Sequence, residues 1–218
     1  MAKTRSSLAV LVSPLLLLVA SAASAQTLYE NGPINGQVNA WTINEGFAVG
    51  DTFFLSNPTS TLTGLAFGVW LTPGDTLQSA EVSITSDVLG GTTYFDQDVT
   101  FTASGCFGNN FNFQVCTETG LFNGPTLSSG TYWVNLQNAI TAEGNPAYWD
   151  QNDGVGCDSP GCPSIASNGG IMEATLPSEA FSVLGTPGGG GTTPEPGSLV
   201  LFASGVVASV TLLRRKIW

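Results

Sequence analysis

Positive charge is confined to the two ends of this 218-residue chain, which contains no histidine. The five basic residues are Lys3, Arg5, Arg214, Arg215 and Lys216. All but one of the sixteen acidic residues lie between them at positions 26–193, and this middle part has a formal charge of 0 − 15 = −15. It can form no internal salt bridge, so its carboxylates must be solvated, hydrogen-bonded to neutral donors or bound to a cation.

The missing cations exclude several functions for the middle part. Nucleic acid binding and phosphate recognition depend on lysine and arginine. Histidine-based acid–base catalysis, Ser-His-Asp triads and histidine-ligated zinc sites are excluded as well. A carboxylate pair such as Asp96 and Asp98 carries little information, because among fifteen acids some pair will always lie close. We therefore expect no enzymatic activity.

The first 25 residues have the pattern of a secretory signal peptide. A short basic start is followed by an almost wholly apolar run at 8–20 and by the small residues Ala23-Ser24-Ala25. This order predicts export and cleavage before Gln26.

Alternating polar and apolar residues, separated by Gly, Pro and Asn turns, recur between residues 26 and 185, and we find no amphipathic helical period. In the most apolar run, 61–72, both faces are apolar, which predicts a central strand. The predicted strands are 38–43, 47–55, 61–72, 77–85, 92–103, 111–117, 131–137, 147–150 and 180–184. Eight to ten short strands predict one all-β domain at 26–185, an antiparallel β-sandwich or jelly roll.

Two stretches of this region differ from the strands. Residues 144–170 are rich in Gly, Asn, Asp and Pro, and we expect a long loop there. Residues 186–193 are mostly glycine and threonine, which predicts a flexible linker.

Four cysteines in an exported chain indicate two disulfides. They are Cys106, Cys116, Cys157 and Cys162, and three pairings are possible. Local pairing, 106 with 116 and 157 with 162, is the simplest. The turn between the first two is off-centre, so their pairing requires a bulge or a longer loop. A four-cysteine zinc site would need shorter, paired spacings.

The C-terminus combines a tripeptide, an apolar run and a basic cluster. The residues concerned are Pro194, Glu195, Pro196, the uncharged segment 198–213, Arg214, Arg215 and Lys216. This arrangement at 194–218 resembles the PEP-CTERM sorting signal of Gram-negative bacteria, a tail also labelled the C-terminal domain of ice-binding proteins. The segment 198–213 is predicted to be a transmembrane helix of marginal length, and by the positive-inside rule we expect the basic cluster to stay cytoplasmic.

The resemblance implies a processing partner and an address. An integral-membrane exosortase is expected to cut near the tripeptide, after transient anchoring in the inner membrane, and to release the protein to the cell surface or the medium. Members of this family are often acidic β proteins linked to exopolysaccharide and biofilms. We expect a non-enzymatic surface or matrix protein.

Two binding sites are alternatives to a purely structural role. Trp133, Tyr148 and Trp149 lie among Asn, Gln and Asp, and exposed aromatic faces beside such groups bind sugar rings, although strand packing explains aromatic residues equally well. The second candidate is a calcium site, because oxygen ligands crowd around glycines at Asp150, Asn152, Asp153 and Asp158. A Ca²⁺-stabilised carbohydrate-binding module is therefore the alternative function. No other cofactor is expected.

Overall fold

The computed structural model describes residues 25–152 and 164–188. Apart from Ala25, the predicted signal peptide lies outside these residues. So do the tripeptide, the predicted transmembrane segment at 198–213, and Cys157 and Cys162. Within the described ranges no helix is long and apolar enough to cross a membrane.

The described residues form eleven strands and no helix, and every pairing between strands is antiparallel. The strands are β1 Gln26–Asn31, β2 Ala40–Thr42, β3 Phe47–Leu71, β4 Leu77–Asp87, β5 Gly90–Gly108, β6 Gln114–Leu121, β7 Thr126–Thr141, β8 Tyr148–Asp150, β9 Ser164–Asn168, β10 Ile171–Leu176 and β11 Phe181–Gly188. The all-β antiparallel class is confirmed. A division into the two layers of a sandwich or jelly roll stays a prediction, because hydrogen bonds connect all the strands into one sheet.

The 25-residue strand β3 organises the sheet. Its first half pairs with β7 and β9, and its second half with β6, β8 and β11. From β6 the pairing continues through β5 and β4 to β7, which returns to β3. The ladder therefore closes on itself around one core, and β3 is shared by its two ends.

The pattern of apolar residues explains the central position of β3. Leu65, Phe67, Val69 and Leu71 are at most 1 % exposed on one face, and Trp70 on the other is only 4 % exposed. A strand buried on both faces must have neighbours on both edges and cover on both sides. The prediction of a central strand at 61–72 is confirmed.

The remaining core follows the predicted alternation. Ala80, Val82 and Ile84 of β4 face inward, as do Val134 and Leu136 of β7, and all are at most 1 % exposed. Burial of each of the valine, isoleucine and leucine side chains among them contributes about 1.5–3 kcal/mol to the favourable free energy of removing apolar surface from water.

Several predicted boundaries are wrong. The strands expected at 47–55 and 61–72 are one strand, with a register shift between Leu55 and Thr59, in the gap between the two predictions. The expected loop at 144–170 contains β9 in addition to β8, which matches the strand predicted at 147–150. Residues 186–188 of the expected linker belong to β11, which pairs with β3 as far as Gly188. β1 and β10 were not predicted.

Candidate functional site

The hairpin of β5 and β6 ends in a region held by a disulfide. Cys106 and Cys116 are bonded, as expected from local pairing. The register of the hairpin shifts between Ser104 and Phe107, where Gly105 has a φ of 59°. This bulge is the feature that the off-centre turn required, and glycine is the residue that adopts such a backbone without strain.

An acidic cleft of about 410 Å³ lies on the outer face of the sheet. Glu81 and Ser83 of β4, Asp96 of β5 and Gln137 of β7 line it. The Gln137 Nε2 donates to Glu81 Oε1, and Asn138 Nδ2 donates to Glu81 Oε2 over 2.7 Å. Both oxygens of Glu81 are therefore held in place by neutral donors, as expected where no cation is at hand.

The carboxylates of the cleft affect one another. Partial burial and the negative charges of Glu81 and Asp98 raise the pKa of Asp96. Like charges at short range favour a shared proton over two full charges. The cleft can thus exchange hydrogen bonds with hydroxyl groups and repels anions.

The three aromatic residues predicted to bind sugar do not form one site. The prediction that Trp149 binds sugar is wrong, because its side chain has no exposed surface. It packs against Phe67 and Phe181, and its Nε1 donates to the Ala180 carbonyl oxygen over 3.1 Å. Side chains alternate between the two faces of a strand, and Trp149 of β8 lies on the face that packs into the core. Aromatic residues of strands are most often found in the core.

Trp133 and Tyr148 are half-buried and lie far apart along β3. Trp133 is opposite Thr52, and Tyr148 is opposite Trp70. Tyr148 belongs to a surface cluster in which its ring contacts Phe113, 5.4 Å between centroids. Sugar binding by the Trp133 or Tyr148 ring stays a prediction.

Two of the predicted metal ligands lie within the described residues, and both make hydrogen bonds to other groups of the protein. Asp150 Oδ1 accepts from Trp70 Nε1 over 2.6 Å, and its Oδ2 accepts from the backbone nitrogens of Asn35 and Gly36. Asn152 Nδ2 donates to backbone oxygens. Asp153 and Asp158 lie outside the described residues, within which no group of three or more acidic or cysteine side chains could hold a metal.

A buried polar cluster was missed by the sequence analysis. Asp51 Oδ2 accepts from Asn31 Nδ2, Ser178 Oγ and the Glu179 backbone nitrogen at 2.8–3.1 Å. Glu179 Oε1 accepts from Ser164 Oγ over 3.0 Å, whereas Glu179 Oε2 is buried without a partner. The cluster connects β1, β3, β9 and the segment before β11, and only long-range pairing brings these residues together.

Burial sets the charge state of this cluster. It raises the pKa of Asp51 to about 7, although four hydrogen bonds act in the opposite direction. Burial and the nearby Asp51 charge raise the pKa of Glu179 well above its usual value. Burial thus favours the neutral form of Glu179, since the residues at 26–193 include no lysine, arginine or histidine to stabilise its charge.

Comparison with known proteins identifies only the tail. Residues 192–216 match the model of the PEP-CTERM protein-sorting motif, and this range includes Pro194, Glu195, Pro196 and the basic cluster. No curated protein and no solved structure matches the chain. The motif marks an exported protein whose tail associates transiently with a membrane. The chain therefore carries a PEP-CTERM sorting motif at residues 192–216.

Proposed function

We propose that this chain is a non-enzymatic surface or extracellular-matrix protein that an exosortase processes at its C-terminal tail. The observation that carries the proposal is the sorting motif at 192–216, which follows an antiparallel β domain. The cation-free domain supports it, because a high negative charge keeps an external protein soluble and monomeric. Association with exopolysaccharide or a biofilm is part of this proposal.

Processing is tested by mass spectrometry of the protein from cells with and without the exosortase. We expect the wild type to lack Arg214, Arg215 and Lys216 and to leave the membrane fraction. Glu195→Ala, within the tripeptide, should keep the C-terminus and stay with the membrane. Glu173→Ala, an exposed acidic residue of β10, is the matched control and should be processed normally. A wild-type protein that still ends at Trp218 would refute the proposal.

Association with polysaccharide is tested separately, by fractionating the extracellular material of the same cells. The proposal expects the processed protein to sediment with the polysaccharide and to be released when that polysaccharide is digested. Recovery of the protein only as a free soluble species would contradict this part and leave the processing intact.

A carbohydrate-binding module steadied by Ca²⁺ is the second candidate. The half-buried rings of Trp133 and Tyr148, which retain some exposed surface, support carbohydrate binding. For the calcium part, both oxygens of Asp150 already accept hydrogen bonds, so a site would depend on residues 153–163. A melting temperature that is the same in Ca²⁺ and in EDTA would rule out the calcium part.

A further inference from the structure

A ridge formed by Phe107 crosses the surface at the disulfide-bonded end of the β5–β6 hairpin. Phe107 is 41 % exposed and follows Cys106 directly, so the bond to Cys116 holds the base of the ridge. Gly108 comes next, and a Cβ atom there would meet nothing within 4 Å. A side chain at position 108 would therefore enter open space beside this backbone.

A hollow lies on each side of the ridge, and Phe107 and Gly108 line both. The larger hollow, about 320 Å³, is completed by Pro73, Phe113 and Gln114. This volume is at the lower end of the range for small-ligand sites. Its lining combines an aromatic face with a single carboxamide, which suits one ring that has an apolar face and polar edges.

The smaller hollow, about 130 Å³, has a polar lining. Four carboxamide residues surround it: Asn35, Gln37, Asn109 and Asn110. Asn109 Oδ1 accepts from the backbone nitrogens of Phe111 and Phe113, whereas its Nδ2 is buried without an acceptor. A buried donor with no partner is uncommon in folded proteins and lowers stability. Because Asn109 lines this hollow, its unpartnered amide makes it a candidate donor to a ligand oxygen bound there.

We propose that the Phe107 ridge binds a neutral polysaccharide, with successive sugar rings on its two sides. Sugar hydroxyls both donate and accept, as carboxamides do, and the apolar face of a pyranose ring suits the exposed Phe107 ring. This inference rests on the proposed association with exopolysaccharide and names the surface responsible.

Charge decides the class of polysaccharide. No charged side chain lines either hollow. The residues at 26–193 have fifteen acidic groups and no cation, so a polyanion such as alginate is repelled and finds no counter-charge. A charged polysaccharide must give up part of the hydration of its charged groups when it binds, which costs free energy. A neutral polysaccharide has no such groups and does not incur this cost.

The test is affinity electrophoresis of the full chain, secreted so that its disulfide forms. The gels contain dextran, hydroxyethyl cellulose, alginate, gelatin or the neutral fraction of the extracellular polysaccharide from the producing cells. We expect retardation by at least one neutral polysaccharide, and always by the native fraction. Alginate and gelatin should not retard the protein.

Two variants change the ridge in opposite ways. Phe107→Ala removes the ring and should weaken binding at least tenfold. Gly108→Leu places a side chain at the edge that the two hollows share and should weaken binding by obstructing ligand beside Phe107, and the backbone φ of Gly108 is not in the left-handed region, so the fold can accept it. Phe54→Ala is the matched control, because Phe54 is 42 % exposed on the distant first half of β3. It should bind as the wild type does.

Three outcomes would overturn the proposal. The first is that the native polysaccharide fraction does not retard the protein, and the second is that both ridge variants bind as the wild type does while circular dichroism shows them folded. The third is that only alginate or gelatin retards the protein. Retardation by gelatin alone would indicate that the surface binds peptides. If the protein is processed and sediments with polysaccharide but is not retarded, the ridge is wrong and the proposed function stands.

Discussion

Glu118 is a carboxylic acid in the apolar interior. It is 1 % exposed on β6, and neither of its carboxylate oxygens has a hydrogen-bond partner. On the same face of the strand, two residues away, lies the buried Cys116. Burial raises the pKa of Glu118 to about 7. An ionisable group with no partner and no nearby cation lowers stability, and no described contact offsets that cost.

Replacing Glu118 by methionine should therefore stabilise the protein. Glu118→Met keeps a similar length and removes two unpartnered polar atoms, so we expect the free energy of unfolding at pH 7 to rise by about 1–3 kcal/mol. Urea unfolding followed by tryptophan fluorescence measures it. Glu118→Gln is the control, because it retains both polar positions and should gain less. A lower midpoint for Glu118→Met would mean that the carboxylate has a stabilising partner.

At the scale of elements, alternation in the sequence predicts where strands lie and which way they face. Leu65, Phe67 and Val69 face the core as predicted, because a period of two is read directly from neighbouring residues. The same rule cannot detect β10, whose Ile171 and Met172 are exposed on an edge strand. It also cannot decide which face of a short strand is buried, and for this reason Trp149 was assigned to the surface.

Long-range contacts account for the rest of what the sequence does not reveal. Asp51 is hydrogen-bonded to Ser178 and Glu179, more than a hundred residues away in the chain. No local pattern predicts such a pairing, because it depends on β11 lying beside β3. The surface around the Phe107 ridge also depends on long-range contacts, since only the fold brings Asn35 to the smaller hollow beside it. The residues 107–113, with three phenylalanines and three asparagines, were the one available signal.

The disulfide supports the end of the β5–β6 hairpin. Its cysteines are ten residues apart, and a closed loop of this length contributes about 2.5–3 kcal/mol in the chain-entropy model. We expect the double variant Cys106→Ala, Cys116→Ala to lose about this much in urea unfolding. Ser104→Ala, a neighbouring exposed position on the same strand, is the control and should change stability little. An unchanged midpoint in the double variant would show that the bond does not constrain the unfolded chain.

On the scale of the whole molecule, charge interactions within the domain are mutually repulsive. The fifteen acidic residues at 26–193 have no basic partner. Salt screens such repulsion, with a Debye length of about 10 Å at 0.1 M. We predict that the melting temperature rises with NaCl between about 10 mM and 0.2 M and then levels off. Sucrose of equal osmolality is the control for effects unrelated to charge. A melting temperature that falls with NaCl would contradict this account.

The pH dependence of stability should be opposite to that of proteins with salt-bridged carboxylates. Four buried carboxyl groups, Asp51, Glu118, Asp150 and Glu179, have raised pKa values, and burial is the first cause for each. The values for Asp51 and Glu118 are about 7, against about 4 in an unfolded chain. Between these limits the folded state binds more protons than the unfolded state, so stability falls as pH rises.

We therefore predict that the free energy of unfolding increases as pH is lowered from 8 to 5. The slope is at most about 1.4 kcal/mol per pH unit for each proton bound. The gain should stop near pH 4, where the carboxyl groups of the unfolded chain bind protons as well. Hydrogen bonds lower the pKa of Asp75 despite its burial, so its stabilising contribution is lost at still lower pH. Urea unfolding at each pH, in 0.3 M NaCl to screen the surface, measures the profile. Glu118→Met removes one of the four groups and should flatten it. Stability that rises from pH 5 to 8 would show that these carboxylates are ionised and stabilised in the fold.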